Sequence, residues 1–185
     1  WLAATVPGTV LTSYVNIGAV PDPNHADNLL HISDSYFNSD FWYRKEFEMH
    51  KPDGERMFLE FDGINWKAEV YFNGKFLGCI EGGFTRGRFD ITDLAEKGTN
   101  TLAVRIIKNA HIGAVKEKNE ENTGINGGIL GADNPTFHAS IGWDWISTIR
   151  GRNIGIWNDV RIVAEGPVSL KDPFVNAALP LPDTT

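Results

Sequence analysis

The sequence predicts an all-β domain, a jelly-roll β-sandwich of about eight strands in two antiparallel sheets. Apolar residues recur at every second position in several runs, and these runs are bounded by Gly, Pro, Asn and Asp. Helical periodicity is almost absent. Asn73-Gly74 separates two alternating runs, and because a type I′ turn needs positive φ at both central residues, that dipeptide is the strongest short-range hairpin signal. A chain of 185 residues, 42% of them hydrophobic, is long enough to bury about 70% of its unfolded surface in a single core.

The elements follow in order. The first 39 residues read as irregular, with Pro7-Gly8 and Pro21-Asp22-Pro23 as turn formers. From Phe41 to Met49 the chain alternates, with Phe41, Tyr43, Phe47 and Met49 on one face and Trp42, Arg44, Glu46 and Glu48 on the other. Lys45 interrupts the apolar face and is expected to snorkel. Met57, Leu59 and Phe61 share a face in the next strand, then Trp66, Ala68, Val70 and Phe72. Lys75 to Ile80 is the return strand of the hairpin. Phe89 and Ile91 lead into a single helical turn expected to be capped by Thr92, and Leu102, Val104 and Ile106 are the inward residues of the strand after it. Residues 109–138 lack either period, and so long a loop implies a function or mobility. Strands are expected again at Ser140–Trp145, at Ile154–Val163 and at Val168–Ala178. The domain is therefore placed at 1–178, with the Pro-rich stretch 179–185 as a linker toward a following domain. The non-Met start suggests a piece of a longer protein.

Charge removes two classes of partner. Seventeen Lys and Arg against 24 Asp and Glu give a net charge of −7, a field that repels nucleic-acid phosphates and anionic lipid heads. Neither nucleic acid nor a membrane is an expected partner. The five histidines show no metal-ligand spacing, a GxSxG elbow is missing, and the single Cys79 cannot form an internal disulfide. The segment Gly124–Gly131 is glycine-rich but lacks the spacing and lysine of a phosphate cradle. The run Lys116–Asn122 reads as a solvated charge run rather than a cation loop. Glu46 and Glu48 share a face with Arg44 and read as solvent-facing. No catalytic residue, metal ligand or cofactor site is expected.

The stretch Gly142-Trp143-Asp144-Trp145 is the most distinctive. If it is extended, Trp143 and Trp145 point one way and Asp144 the other. Two readings stand side by side. Either the tryptophans are core and Asp144 is solvated, or the indoles stack on sugar C–H faces while the carboxylate accepts sugar hydroxyls. Trp157 shares parity with Asp159 and Arg161, so it faces away from Ile154, Ile156, Val160 and Ile162. It is either an interface residue or is covered by the N-terminal segment.

These motifs resemble, in order, the N-terminal sugar-binding jelly-roll domain of glycoside hydrolase family 2. The resemblance runs through Thr5-Val6-Pro7-Gly8-Thr9-Val10, Phe41-Trp42-Tyr43-Arg44-Lys45-Glu46-Phe47, Phe61-Asp62-Gly63-Ile64, Ala68–Gly74, Gly78, Phe89–Leu94 and Asn100–Val104. Gly155-Ile156-Trp157-Asn158-Asp159-Val160 closes it and is the most specific part. Gly142-Trp143-Asp144-Trp145 is similar to the β-mannosidase and exo-β-glucosaminidase branch, although Ile146-Ser147-Thr148-Ile149 departs from that pattern.

The resemblance implies a parent retaining exo-β-glycosidase without an organic cofactor, whose catalytic glutamates lie on a following (β/α)8 barrel rather than in this chain. It implies Asp144 as a substrate contact flanked by Trp143 and Trp145, and Trp157, Arg152 and Asn153 as domain-interface residues. The implied partners are the barrel and an immunoglobulin-like domain of the same parent chain, together with a β-linked sugar. A periplasmic or secreted location accords with it, and a cytoplasmic one stands as the alternative. An autonomous carbohydrate-binding module and a purely structural or adhesive sandwich are the alternatives.

Overall fold

The computed structural model describes residues 1–111, 120 and 150–178. Among these are seven strands: β1 (Phe41–Met49), β2 (Arg56–Phe61), β3 (Lys67–Phe72), β4 (Lys75–Glu81), β5 (Gly87–Asp90), β6 (Gly98–Ile106) and β7 (Val160–Glu165). They form two antiparallel sheets in the orders β1-β6-β3-β4 and β5-β2-β7. Alternation decides which side of each sheet is dry. Leu59 and Phe61 of β2 belong to one buried cluster with Ala68, Val70 and Phe72 of β3, Ile80 of β4, and Val104 and Ile106 of β6. This is the two-sheet sandwich that the pattern predicts.

The hairpin turns at Asn73 and Gly74, whose φ angles of 47° and 76° supply the left-handed conformation a type I′ turn needs. Asn73 also reaches beyond the turn. Its amide donates to Leu94 O at 2.8 Å and to Asn100 Oδ1 at 2.9 Å, while its own Oδ1 accepts from Thr101 N–H at 2.8 Å. Asn100 is wholly buried and in turn bonds Glu96 and Gly98. The hairpin is thus tied to the turn before β6 by a buried polar network whose members satisfy one another.

Several elements depart from the sequence reading. The first 39 residues contain helix α1 (Val10–Asn16), the short helix α2 (Asn28–His31) and a 3₁₀ turn at Asp34–Phe37. The Thr9 side chain caps α1 by accepting from Thr12 N–H, and Val10 and Leu11 pack into the core. An element of seven residues shows too few repeats for its period to be seen. The turn after β5 is present, but its cap is Asp90, which accepts from the Thr92 amide and hydroxyl. Thr92 Oγ1 serves instead as acceptor for Met57 N–H. The strand expected over Val168–Ala178 is not formed. That segment lies away from both sheets, with Val168 and Phe174 83% and 90% exposed, so its alternation meets no partner. The strand expected over Ser140–Trp145 lies outside the described residues.

One flank of the sandwich is open. Tyr43, Phe47, Leu102, Val160 and Ile162 line a groove of about 700 Å³ between β1 and β7, and for that reason they stay half-buried, whereas Val70 and Ile80 are enclosed. Burial still pushes the Tyr43 phenol up to about 12.

Candidate functional site

Trp143, Asp144 and Trp145 lie outside the described residues, as do Gly124–Gly131 and, apart from Glu120, the run 116–122. The structure describes the platform from which that excursion departs and to which it returns. On the outgoing side, Ile107 N–H donates to Lys67 O and Lys108 N–H to Asp40 Oδ1, both at 2.9 Å. Asp40 also takes Arg105 Nη2 at 2.6 Å. The Lys108 amide, followed by Arg105, holds the Asp40 carboxyl below the usual carboxylate range.

On the returning side, Arg150 Nε donates to Leu29 O at 2.9 Å. Arg152 is 3% exposed, with Nη1 on Arg150 O at 2.9 Å and 3.3 Å from Asp34. Gly151 is pressed so closely that a Cβ would stand 3.2 Å from both Leu11 and the Phe37 ring. The two sides meet around the Asp34–Phe37 turn, where Asp34, Phe37, Asn109, Arg150, Gly151, Arg152 and Ile154 line a cavity of about 10 Å³.

The central clamp is Asn65, with no exposed surface. Its side-chain amide donates to the carbonyls of Arg152 and Asn153, each at 3.1 Å. Its main chain exchanges two 2.8 Å hydrogen bonds with Gly155. Arg152 and Asn153 both have left-handed backbones, φ 50° and 53°, a conformation that costs a non-glycine residue about 1–2 kcal/mol and needs outside support. Gly155 has φ 138°, and a Cβ there would lie 3.0 Å from Gly8 O, so only glycine fits. Gly8 and Val10 N–H donate to Ile156 and Ile154 O, each at 2.9 Å, stitching the N-terminal segment to the same knot.

Trp157 faces away from the Ile154 and Ile156 core, as its parity predicts, yet it is largely covered, with only part of its surface exposed. Its indole lies over Gly63, donates Nε1–H to Gly83 O at 2.9 Å, and meets Phe84 edge-on at 5.9 Å. Of the three expected interface residues, Trp157 and Asn153 keep partial exposure and Arg152 is enclosed within the domain. Apart from the Asp34 carboxylate, which faces Arg152, the groups gathered here are amides, guanidiniums and indoles, which orient rather than transfer protons at neutral pH. Among the described residues, no group of three His, Cys, Asp or Glu side chains is placed to hold a metal. No helix of the described residues is long and apolar enough to cross a membrane.

A family model described as the glycosyl hydrolase 2 galactose-binding domain-like domain matches residues 1–158. The chain belongs to this family. Among relatives of this galactose-binding-like domain, a mannosylglycoprotein endo-beta-mannosidase of Lilium longiflorum is 38% identical over 93% of the chain and 18% of its own length. An exo-beta-D-glucosaminidase of Streptomyces avermitilis is 30% identical over 98% of the chain and 18% of its own length. Among solved structures, the beta-D-mannosidase of Dictyoglomus thermophilum superposes with a TM-score of 0.63 at 28% identity, covering 88% of the chain and 20% of that protein. The chain therefore spans about a fifth of the length of such relatives.

In this family 2 domain, two of the segments that carried the resemblance are distant in sequence and joined in space. Thr5–Val10 and Gly155–Val160 meet backbone to backbone at the knot, and Gly63 supplies the flat seat for Trp157. Asn65, Asp34 and Arg150 were not singled out from sequence. The one available signal was a polar Asn65 in the apolar surroundings of Ile64 and Trp66.

Proposed function

We propose that this domain is the N-terminal accessory domain of a family 2 retaining exo-β-glycosidase and contributes one wall of its sugar pocket. The catalytic glutamates lie on a (β/α)8 barrel of the same parent chain, an immunoglobulin-like domain is a further neighbour, and no organic cofactor takes part. Asp144 accepts hydroxyls of the non-reducing β-linked sugar, and Trp143 and Trp145 flank it. Trp157 and Asn153 face the neighbouring domains, while Arg152 acts from inside by fixing the loop that carries Asn153.

The observation that supports this reading is the Asn65–Arg152–Gly155 knot. It anchors the returning end of the excursion bearing Asp144 to the sandwich core, as a borrowed contact residue requires, since a misplacement of about 1 Å at a reacting centre costs as much as 100-fold in rate. Without the barrel that carries the catalytic glutamates, the domain alone is expected to be inactive. In the full-length enzyme, Asp144→Ala should lower kcat/KM by about 1.5–3 kcal/mol, the scale of a charge-assisted hydrogen bond. Wild-type kinetics in that variant would refute the pocket-wall role.

A further inference from the structure

The outer faces of the two sheets differ in kind. On β5-β2-β7 the surface is a lattice of ion pairs. Arg88 bridges Glu60 and Glu165 at 2.6 and 2.8 Å, Arg161 bridges Glu60 and Asp62, and Phe58 is covered by the Arg88 and Arg56 guanidiniums. On β1-β6-β3-β4 three aromatic rings form a row instead. Trp42 of β1 lies 5.6 Å from Tyr71 of β3, and Tyr71 lies 5.4 Å from Phe76 of β4, centroid to centroid. Trp42 is 49% and Phe76 56% exposed. Ala103, the residue of β6 opposite Tyr71, is small and leaves the row open.

The charges beside this row are spent on one another. Arg105 joins Asp40 at 2.6 Å to Glu69 at 3.1 Å, Tyr71 donates its hydroxyl to Glu69 at 2.9 Å, and Arg44 pairs with Glu46. Tyr71 is thereby held in place, and the two guanidiniums and three carboxylates named here leave one negative charge over. Aromatic rows of this sort suit polymers that present a stacking surface at each repeat. Nucleic acid is one such polymer, but it needs a basic groove, and this chain carries a net charge of −7. A β-linked oligosaccharide is the other, since it is neutral or cationic, offers axial C–H faces to rings and brings hydroxyls to flanking carboxylates and guanidiniums.

We propose that Trp42, Tyr71 and Phe76 form a second sugar-binding surface, which holds an oligosaccharide chain across the outer face of the four-stranded sheet. It does not depend on the pocket-wall role of Asp144. A hexasaccharide of β-1,4-linked glucosamine or mannose fits it better than the monosaccharides, because a single ring covers one aromatic side chain where a chain covers the row.

Titration of the chain with these hexasaccharides, followed through the Trp42 indole N–H signal by NMR, should give saturable shifts. Trp42→Ala and Phe76→Ala should each weaken the affinity by about tenfold, the scale of one lost stacking contact, while Asp144→Ala leaves it unchanged. Cys79 stands opposite Glu69 at the margin of the same face and is exposed. In the full-length protein its thiol should react with a maleimide freely, and more slowly with hexasaccharide present. Three results would overturn the proposal: an unshifted Trp42 signal at saturating hexasaccharide, binding abolished by Asp144→Ala but not by Trp42→Ala, or a Cys79 thiol in the full-length protein that is inert because another domain covers the face.

Discussion

Replacing Asn65 by Ala removes both donors that hold the Arg152–Asn153 turn and leaves the backbone exchange with Gly155 untouched. A net hydrogen bond in a folded protein is worth about 0.5–1.5 kcal/mol, and withdrawing a donor from a buried carbonyl adds a desolvation cost. Two such bonds at a site with no exposed surface give a loss of about 2–4 kcal/mol. The upper end is tempered because two left-handed residues, once released, relax some of their own strain. For a domain of this size, about 2–4 °C per kcal/mol translates the loss into a Tm lowered by about 5–15 °C. Differential scanning calorimetry or urea unfolding at neutral pH measures it, with exposed Asn24→Ala as a control expected to stay within about 0.5 kcal/mol. Asn65→Asp should be at least as harmful as Ala, because an ionised carboxylate would face two carbonyl oxygens with no proton to share. If Asn65→Ala costs under about 0.5 kcal/mol, or Asp is tolerated better than Ala, the clamp is not what fixes this turn.

Gly63→Ala should destabilise by about 1–3 kcal/mol, the usual cost of overpacking. The new Cβ would stand 2.5–2.7 Å from three indole atoms of Trp157, so the Trp157 indole signal should shift while a Gly54→Ala control leaves it in place. Acid stability should depend on Asp90, whose carboxyl is held down to about 2 by Thr92 and then Arg56. A carboxyl lowered in the folded state stabilises above its unfolded value near 3.8 and loses that contribution as pH falls toward 2. Asp90→Asn should therefore flatten the stability profile between pH 4 and 2 and leave the limb above pH 5 unchanged in slope. An identical acid limb in wild type and variant would contradict the assignment. Because the pair is about half exposed, added salt should shrink the difference.

Much of this molecule was legible before its structure. Phe41–Met49, Lys67–Phe72 and the Asn73-Gly74 turn announce themselves, because a half-buried strand must alternate and a type I′ turn demands its residues. Both are local rules, readable from a few neighbours. Helix α1 was missed because seven residues carry too few periods, and Val168–Ala178 was misread because alternation states which side would be buried, not whether anything is there to bury it.

Fold class and family followed from the order of strands and motifs along the chain, which is itself a property of the sequence. The knot at Asn65, the seat of Trp157 on Gly63 and the row of Trp42, Tyr71 and Phe76 were decided only by tertiary structure. Each depends on contacts between residues far apart in the chain, and side-chain chemistry does not reveal such a meeting until strand order and register have brought the partners together.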